Sequence, residues 1–173
     1  MDKLLIASSL LNRIPCQTEY LKVKGHWRLT ARHIVTDETI IQEGHNLIVT
    51  VGLTWLLHYL INDGGYTNGF TYYALGNDNT APVIGDTVLG SEQSRKAITL
   101  KGPVNVGDTD VILSTFFTAA QSTFYLKEAG IFGHDAGAGA DSGTLWSRWI
   151  TDFDNSLGAY DITIDYTLSL STP

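Results

Sequence analysis

The stretch that decides the fold lies near the end of the chain: Tyr160-Asp161-Ile162-Thr163-Ile164-Asp165-Tyr166-Thr167-Leu168-Ser169-Leu170. Ile162, Ile164, Tyr166, Leu168 and Leu170 alternate with Thr163, Asp165, Thr167 and Ser169, and successive side chains of an extended chain point to opposite sides. One side is apolar and the other polar, which is the pattern of an antiparallel strand with one buried face. Shorter stretches of the same kind precede it. Leu21, Val23, Trp27, Leu29 and Ala31 read as a strand bent at Gly25, and His33–Val35 with Thr39–Ile41 flank a hairpin turn at Thr36-Asp37-Glu38. Phe70–Leu75, Ala97–Leu100, Val111–Phe117, Thr123–Glu128 and Leu145–Thr151 follow, separated by turn clusters such as Gly76-Asn77-Asp78-Asn79. Seven to nine short strands of this sort predict a mainly β protein: an antiparallel β-sandwich, jelly-roll-like in the broad sense.

One segment breaks the pattern. Leu53, Leu56, Leu57, Leu60 and Ile61 recur at helical spacing, with Trp55 and Tyr59 beside them, Thr50 placed to cap the start and Asn62-Asp63-Gly64-Gly65 to end it. A helix apolar nearly all round is expected to be buried. A second helical pattern, Leu4, Ala7, Leu10, Leu11 and Ile14, runs up to Pro15. So short a helix does not stand alone in water and must dock. The chain therefore divides into an N-terminal arm, 1–19, and a sandwich domain, 20–173, with Leu4, Leu5, Leu10, Leu11 and Ile14 as assembly contacts.

The whole chain has 173 residues, enough for one core without disulfide or metal staples. Charged residues are 17% of it, below the roughly 25% of an average soluble domain, and the net charge is −7. Through Thr50 six basic residues face five acidic ones; beyond it five basic residues face thirteen. No Lys/Arg stripe marks a nucleic-acid face. The single cysteine, Cys16, excludes an internal disulfide and a cysteine zinc cluster and fits synthesis in a reducing cytosol. No signal peptide is expected at the start, and no apolar run is long enough to span a membrane.

Signs of catalysis are lacking. His26, His33, His45, His58 and His134 fall in no metal-binding spacing, and His58, inside the apolar helix, reads as a hydrogen-bonded core residue. Asp152 and Asp154 share one side of an extended stretch, as an acid/base pair would, but Asp-Phe-Asp-Asn-Ser reads directly as a turn. No nucleophile elbow, phosphate-cradling loop or calcium loop occurs. No catalytic residue, cofactor or metal is expected. Glu128, flanked by Leu126 and Ile131, is costly to bury unpaired, so an Arg95–Glu128 ion pair across the sandwich is expected, with Glu92 as an alternative partner. The Gly-Ala tract from Gly133 to Gly143 reads as a mobile loop or one abutting a neighbour.

The order of pieces carries a resemblance. Gly25-His26-Trp27-Arg28-Leu29 comes first, then Asn46-Leu47-Ile48 with Gly52-Leu53, then Ala74-Leu75-Gly76 with Thr80-Ala81-Pro82 and Asp86-Thr87-Val88-Leu89. Lys127-Glu128-Ala129-Gly130-Ile131-Phe132 and the alternating last strand complete it, from Gly25 to Leu170. The whole resembles small virion structural proteins of tailed bacteriophages. That resemblance implies a non-enzymatic β-sandwich acting as a symmetric oligomer, often a homotrimer, made in the host cytoplasm and located in the virion. A compact body with an apolar arm favours a capsid decoration (cement) protein whose partners are itself and the major capsid protein. A tail, neck or tail-fibre component is the alternative. Trp146 and Trp149 are then candidate subunit contacts. With Tyr66, Tyr72 and Tyr160 they are also the stacking faces of a third reading, a carbohydrate-binding module.

Overall fold

A computed structural model describes residues 21–66, 68–105 and 108–171. The arm contacts Leu4, Leu5, Leu10, Leu11 and Ile14 lie outside the described residues, as does Cys16. The strands are β1 (Lys22–His33), β2 (Thr39–His45), β3 (Leu47–Ile48), β4 (Phe70–Gly76), β5 (Glu92–Ala97), β6 (Leu100–Pro103), β7 (Asp110–Phe117), β8 (Tyr125–Gly133), β9 (Thr144–Asp154) and β10 (Tyr160–Ser171). Among the described residues one α-helix, α1 (Thr50–Leu60), sits between β3 and β4, and a short 3-10 turn spans Ala119–Gln121. The strands form two five-stranded antiparallel sheets. The first has the order β2-β1-β10-β7-β6 and the second β3-β9-β8-β4-β5.

The deciding stretch is β10, at the centre of the first sheet. It pairs with β1 along its whole length, from Lys22 opposite Ser171 to His33 opposite Tyr160. Ile162, Ile164, Tyr166 and Leu168 face a core shared by both sheets. Trp149 from the second sheet lies between Trp27 and Tyr166 of the first, ring centroids 6.0 and 6.1 Å apart and nearly parallel. Two tyrosine hydroxyls bridge the sheets. Tyr73 donates to the Leu113 carbonyl at 3.0 Å, and the Tyr166 hydroxyl accepts from Trp146 Nε1 at 3.0 Å. Aromatic bodies thus fill the space while their polar tips are paired.

Three departures from expectation have physical causes. The strand expected over Ala97–Leu100 is two strands, because Ile98-Thr99 is where the chain crosses from the second sheet to the first. Glu92-Gln93-Ser94-Arg95-Lys96, polar throughout, is itself a strand because β5 lies at an edge, where charged side chains discourage pairing with other molecules. Thr50 does not cap α1; Val49 occupies that position and makes no side-chain cap bond.

The helix is anchored but not engulfed. Only Gly52 and Trp55 are buried, and a Cβ at Gly52 would meet the Trp146 carbonyl oxygen at 2.6 Å. Its inner side is therefore Gly52 and Trp55, with Leu56 and Val51 packed partly buried beside them. Leu53, Leu57, Leu60 and Ile61 face outward instead, correcting the expectation of a buried helix.

Candidate interaction surface

The residue that organises this side of the molecule is Glu128. Ala129 and Ile131 point into the sandwich core, so alternation sends Glu128 to the outer face of the second sheet. There it is wholly buried beneath the loop 77–91. Its carboxylate accepts from Gly90 N at 3.0 Å, Ser91 N at 2.7 Å, Asp78 N at 3.4 Å and Arg148 Nε at 2.8 Å. Arg148, one strand over on β9, donates onward to Asp86 Oδ2 at 2.9 Å and to the Thr80 carbonyl at 3.1 Å. Burial works against the Arg148 charge, but Asp86 and Glu128 outweigh it, and its pKa is raised. Asp86 in turn accepts from Val83 N at 3.0 Å. The loop is thus held at Asp78, Thr80, Val83, Asp86, Gly90 and Ser91 by one acid–base–acid chain. Gly76 lets it close: a Cβ there would strike Glu128 Oε1 and the Ser91 carbonyl.

The expected Arg95–Glu128 pair does not form. Glu128 takes Arg148, and Arg95 takes the alternative, Glu92, with both of its nitrogens Nε and Nη2 at 2.7 Å. Arg95 also donates to the Ser142 carbonyl at 2.6 Å and lies over the Phe132 ring, 4.1 Å from its centroid. This pair tacks the Gly-Ala tract down onto the sheet, so that tract abuts its own subunit. The sequence missed Arg148 because it sits between two tryptophan-bearing positions. Its outward direction follows from strand register, not from composition.

The loop carries its exposed apolar tip, Val83-Ile84, to the start of the helix, where Thr50 N donates to the Ile84 carbonyl at 2.9 Å. Beyond it the stripe Leu53, Leu57, Leu60 and Ile61 faces solvent. Leu57 is 64% exposed, Leu60 67%, Ile61 75% and Ile84 60%. The far end of α1 is held by a ring stack. Tyr66 lies between His58 and His134, 4.6 Å from each centroid. His58 Nδ1 meets Asp63 Oδ2 at 2.8 Å, and this contact, with a backbone bond from Gly65, lowers the Asp63 pKa. His58 is hydrogen-bonded as expected but half-exposed rather than in the core. The result is an apolar face that no described residue covers, on a helix fixed at both ends.

The opposite face of the sandwich mixes charged pairs with the exposed side chains of Ile41 and Phe116. On β1, Arg28 lies between Glu43 of β2 and Asp165 of β10, and Arg32 lies opposite Asp161. Such cross-strand alternation of charge suits solvent.

The remaining candidates are placed as follows. Trp146 and Trp149 are in the core of the subunit, 0% and 2% exposed, so neither can contact a partner or stack on a sugar. Their rings fill the gap between the sheets, and that need outweighs any surface role. Asp152 and Asp154 do share the exposed side of β9. Asp152 receives the Tyr125 hydroxyl, and Asp154 accepts from Ser156 N at 2.9 Å, which lowers its pKa. Among the described residues no three His, Cys, Asp or Glu side chains gather closely enough to hold a metal ion. No described helix is long and apolar enough to cross a membrane.

Comparison with known proteins returns no matching family model, no matching curated protein and no matching solved structure.

Proposed function

We propose that this chain is a non-enzymatic virion structural protein of a tailed bacteriophage, and that it decorates and stabilises a capsid lattice as a symmetric oligomer. The observation that carries the reading is the outward-facing stripe of α1 with the Val83-Ile84 tip beside it. An apolar face of this kind is stable in water only as a contact surface. The buried Glu128–Arg148–Asp86 chain supports the reading, because it holds that surface in one shape before any partner arrives and so lowers the ordering cost of association. The cross-strand charge pairs of the other sheet suit the solvent-facing exterior of a particle. Several motifs behind the phage resemblance fall on this same corner: Gly52 seats the helix, Gly76, Thr80 and Asp86 shape the loop, and Glu128 fastens it.

The partners are then further copies of the chain, as a homotrimer, and the major capsid protein. The test is the copy number per particle, read by quantitative mass spectrometry of purified virions. On the order of hundreds of copies is expected for a piece repeated over a closed shell. A handful to a few dozen places it in the tail, neck or fibre instead, and absence from particles ends the virion reading.

A further inference from the structure

We propose that His26 and His45 form a binding site for a late divalent transition metal ion, of the class of Zn²⁺ and Cu²⁺, on the outer face of the first sheet. The two lie far apart in sequence, but the pairing of β1 with β2 sets them directly opposite each other. Both side chains point away from the core. Trp27, next to His26, is buried in it, and Gly44, next to His45, lies against the Trp27 ring, so alternation turns both histidines outward. His26 is half-buried and His45 exposed, which leaves the pair open to an ion from solvent.

The geometry is that of a chelate. The ring centroids are 5.6 Å apart, with 74° between the planes. Two imidazoles that hold one ion through nitrogens about 2.1 Å from it, at a tetrahedral angle, set their centroids roughly 5.3 Å apart. A small side-chain rotation covers the difference. The tautomer of one ring is set as well. His45 Nδ1 lies 3.4 Å from the Gly25 carbonyl oxygen, which can only accept, so Nδ1 carries the proton and Nε2 keeps its lone pair. A backbone carbonyl behind the ring is a usual outer partner of a metal-binding histidine. The backbone on both sides is fixed in advance. Trp27 Nε1 donates to the His45 carbonyl at 3.2 Å, and Gly25 is packed so closely that a Cβ there would strike Asn46 Oδ1 and the Tyr166 hydroxyl.

The ligand set selects the ion. No third His, Cys, Asp or Glu among the described residues joins the pair, so water fills the remaining positions. Imidazoles without a carboxylate suit zinc, copper or nickel rather than magnesium or calcium. The bound ion ties β2, the edge strand of the first sheet, to β1. This site stands independently of the virion reading, and its test needs no particle.

The test uses the full chain without an affinity tag at neutral pH. Substoichiometric Cu²⁺ is expected to broaden the amide signals of residues 25–27 and 44–46 and to spare those around His33, His58 and His134. Zn²⁺ followed by titration calorimetry is expected to bind in His33→Ala as in the parent. In His26→Ala and in His45→Ala its affinity falls by at least the roughly tenfold that loss of an outer partner costs, because a single imidazole has no chelating neighbour. Zn²⁺ raises the Tm of the parent but not of either variant, since an ion that binds the folded state stabilises it. Mg²⁺ and Ca²⁺ at the same concentration leave Tm unchanged. The copper measurement is made on the unaltered chain and so does not depend on the variants folding. Copper broadening that bypasses residues 25–27 and 44–46 overturns the proposal, as does Zn²⁺ binding of parental strength in either folded single variant.

Discussion

At the residue scale the molecule depends on groups that have no alternative partner. Glu128 is a fully buried carboxylate with four donors on it. Replacing Arg148 by Met leaves Glu128 and Asp86 facing each other without a cation, and a broken buried pair costs about 3–5 kcal/mol. Denaturant unfolding of Arg148→Met is therefore expected to show a loss of that size, and a loss below about 1 kcal/mol would mean the chain of ions is dispensable. Tyr73 and Tyr166 give a pH dependence. Burial raises both phenol pKa values, so the folded state favours the protonated form. Their stabilising contribution is complete below the ordinary tyrosine pKa of about 10 and is lost as pH rises beyond it. Tyrosinate absorbance is expected to show these two of the eight tyrosines ionising only together with loss of tertiary structure. Simple titration of all eight in a folded chain would contradict this. These residues were only partly legible. The cost of burying Glu128 could be read from its apolar neighbours, but its partner could not, because Arg95 and Arg148 differ only in which strands stand beside β8.

At the scale of elements the sequence spoke clearly wherever one periodicity had one consequence. The alternation in β10 gave its inward face residue for residue, since a strand in a sandwich has only one core to face. The helix was legible as a helix for the same reason, but not its orientation. A stripe of Leu53, Leu57, Leu60 and Ile61 marks an apolar side without saying whether the domain or another body covers it. The seat on β9 is signalled instead by Gly52, through close approach to the Trp146 backbone. This inverts the usual effect of a helix substitution. Alanine exceeds glycine in helix propensity by about 1 kcal/mol, yet Gly52→Ala is expected to destabilise by roughly 1–3 kcal/mol through overpacking. A thermal melt shifted upward would show that α1 can move off β9 freely.

At the scale of the whole molecule two unlike faces define the account. One sheet presents cross-strand charge pairs to water; the other is overlaid by a pinned loop and a helix with its apolar side outward. The low charge of the chain was visible in its composition, but its distribution over faces depends on the pairing of strands far apart in sequence, β1 with β10 and β8 with β9. Loss of exposed leucines should leave such a body intact, because no packing in the described core is removed. Leu57→Ser with Leu60→Ser is expected to change stability by less than about 1 kcal/mol. The most direct test of the central claim is the binding of this double variant to virions depleted of the protein, measured by co-sedimentation against the parent chain. The account predicts a folded variant whose affinity for the particle falls at least tenfold. A variant that binds as tightly as the parent would show that the α1 stripe is not the attachment surface.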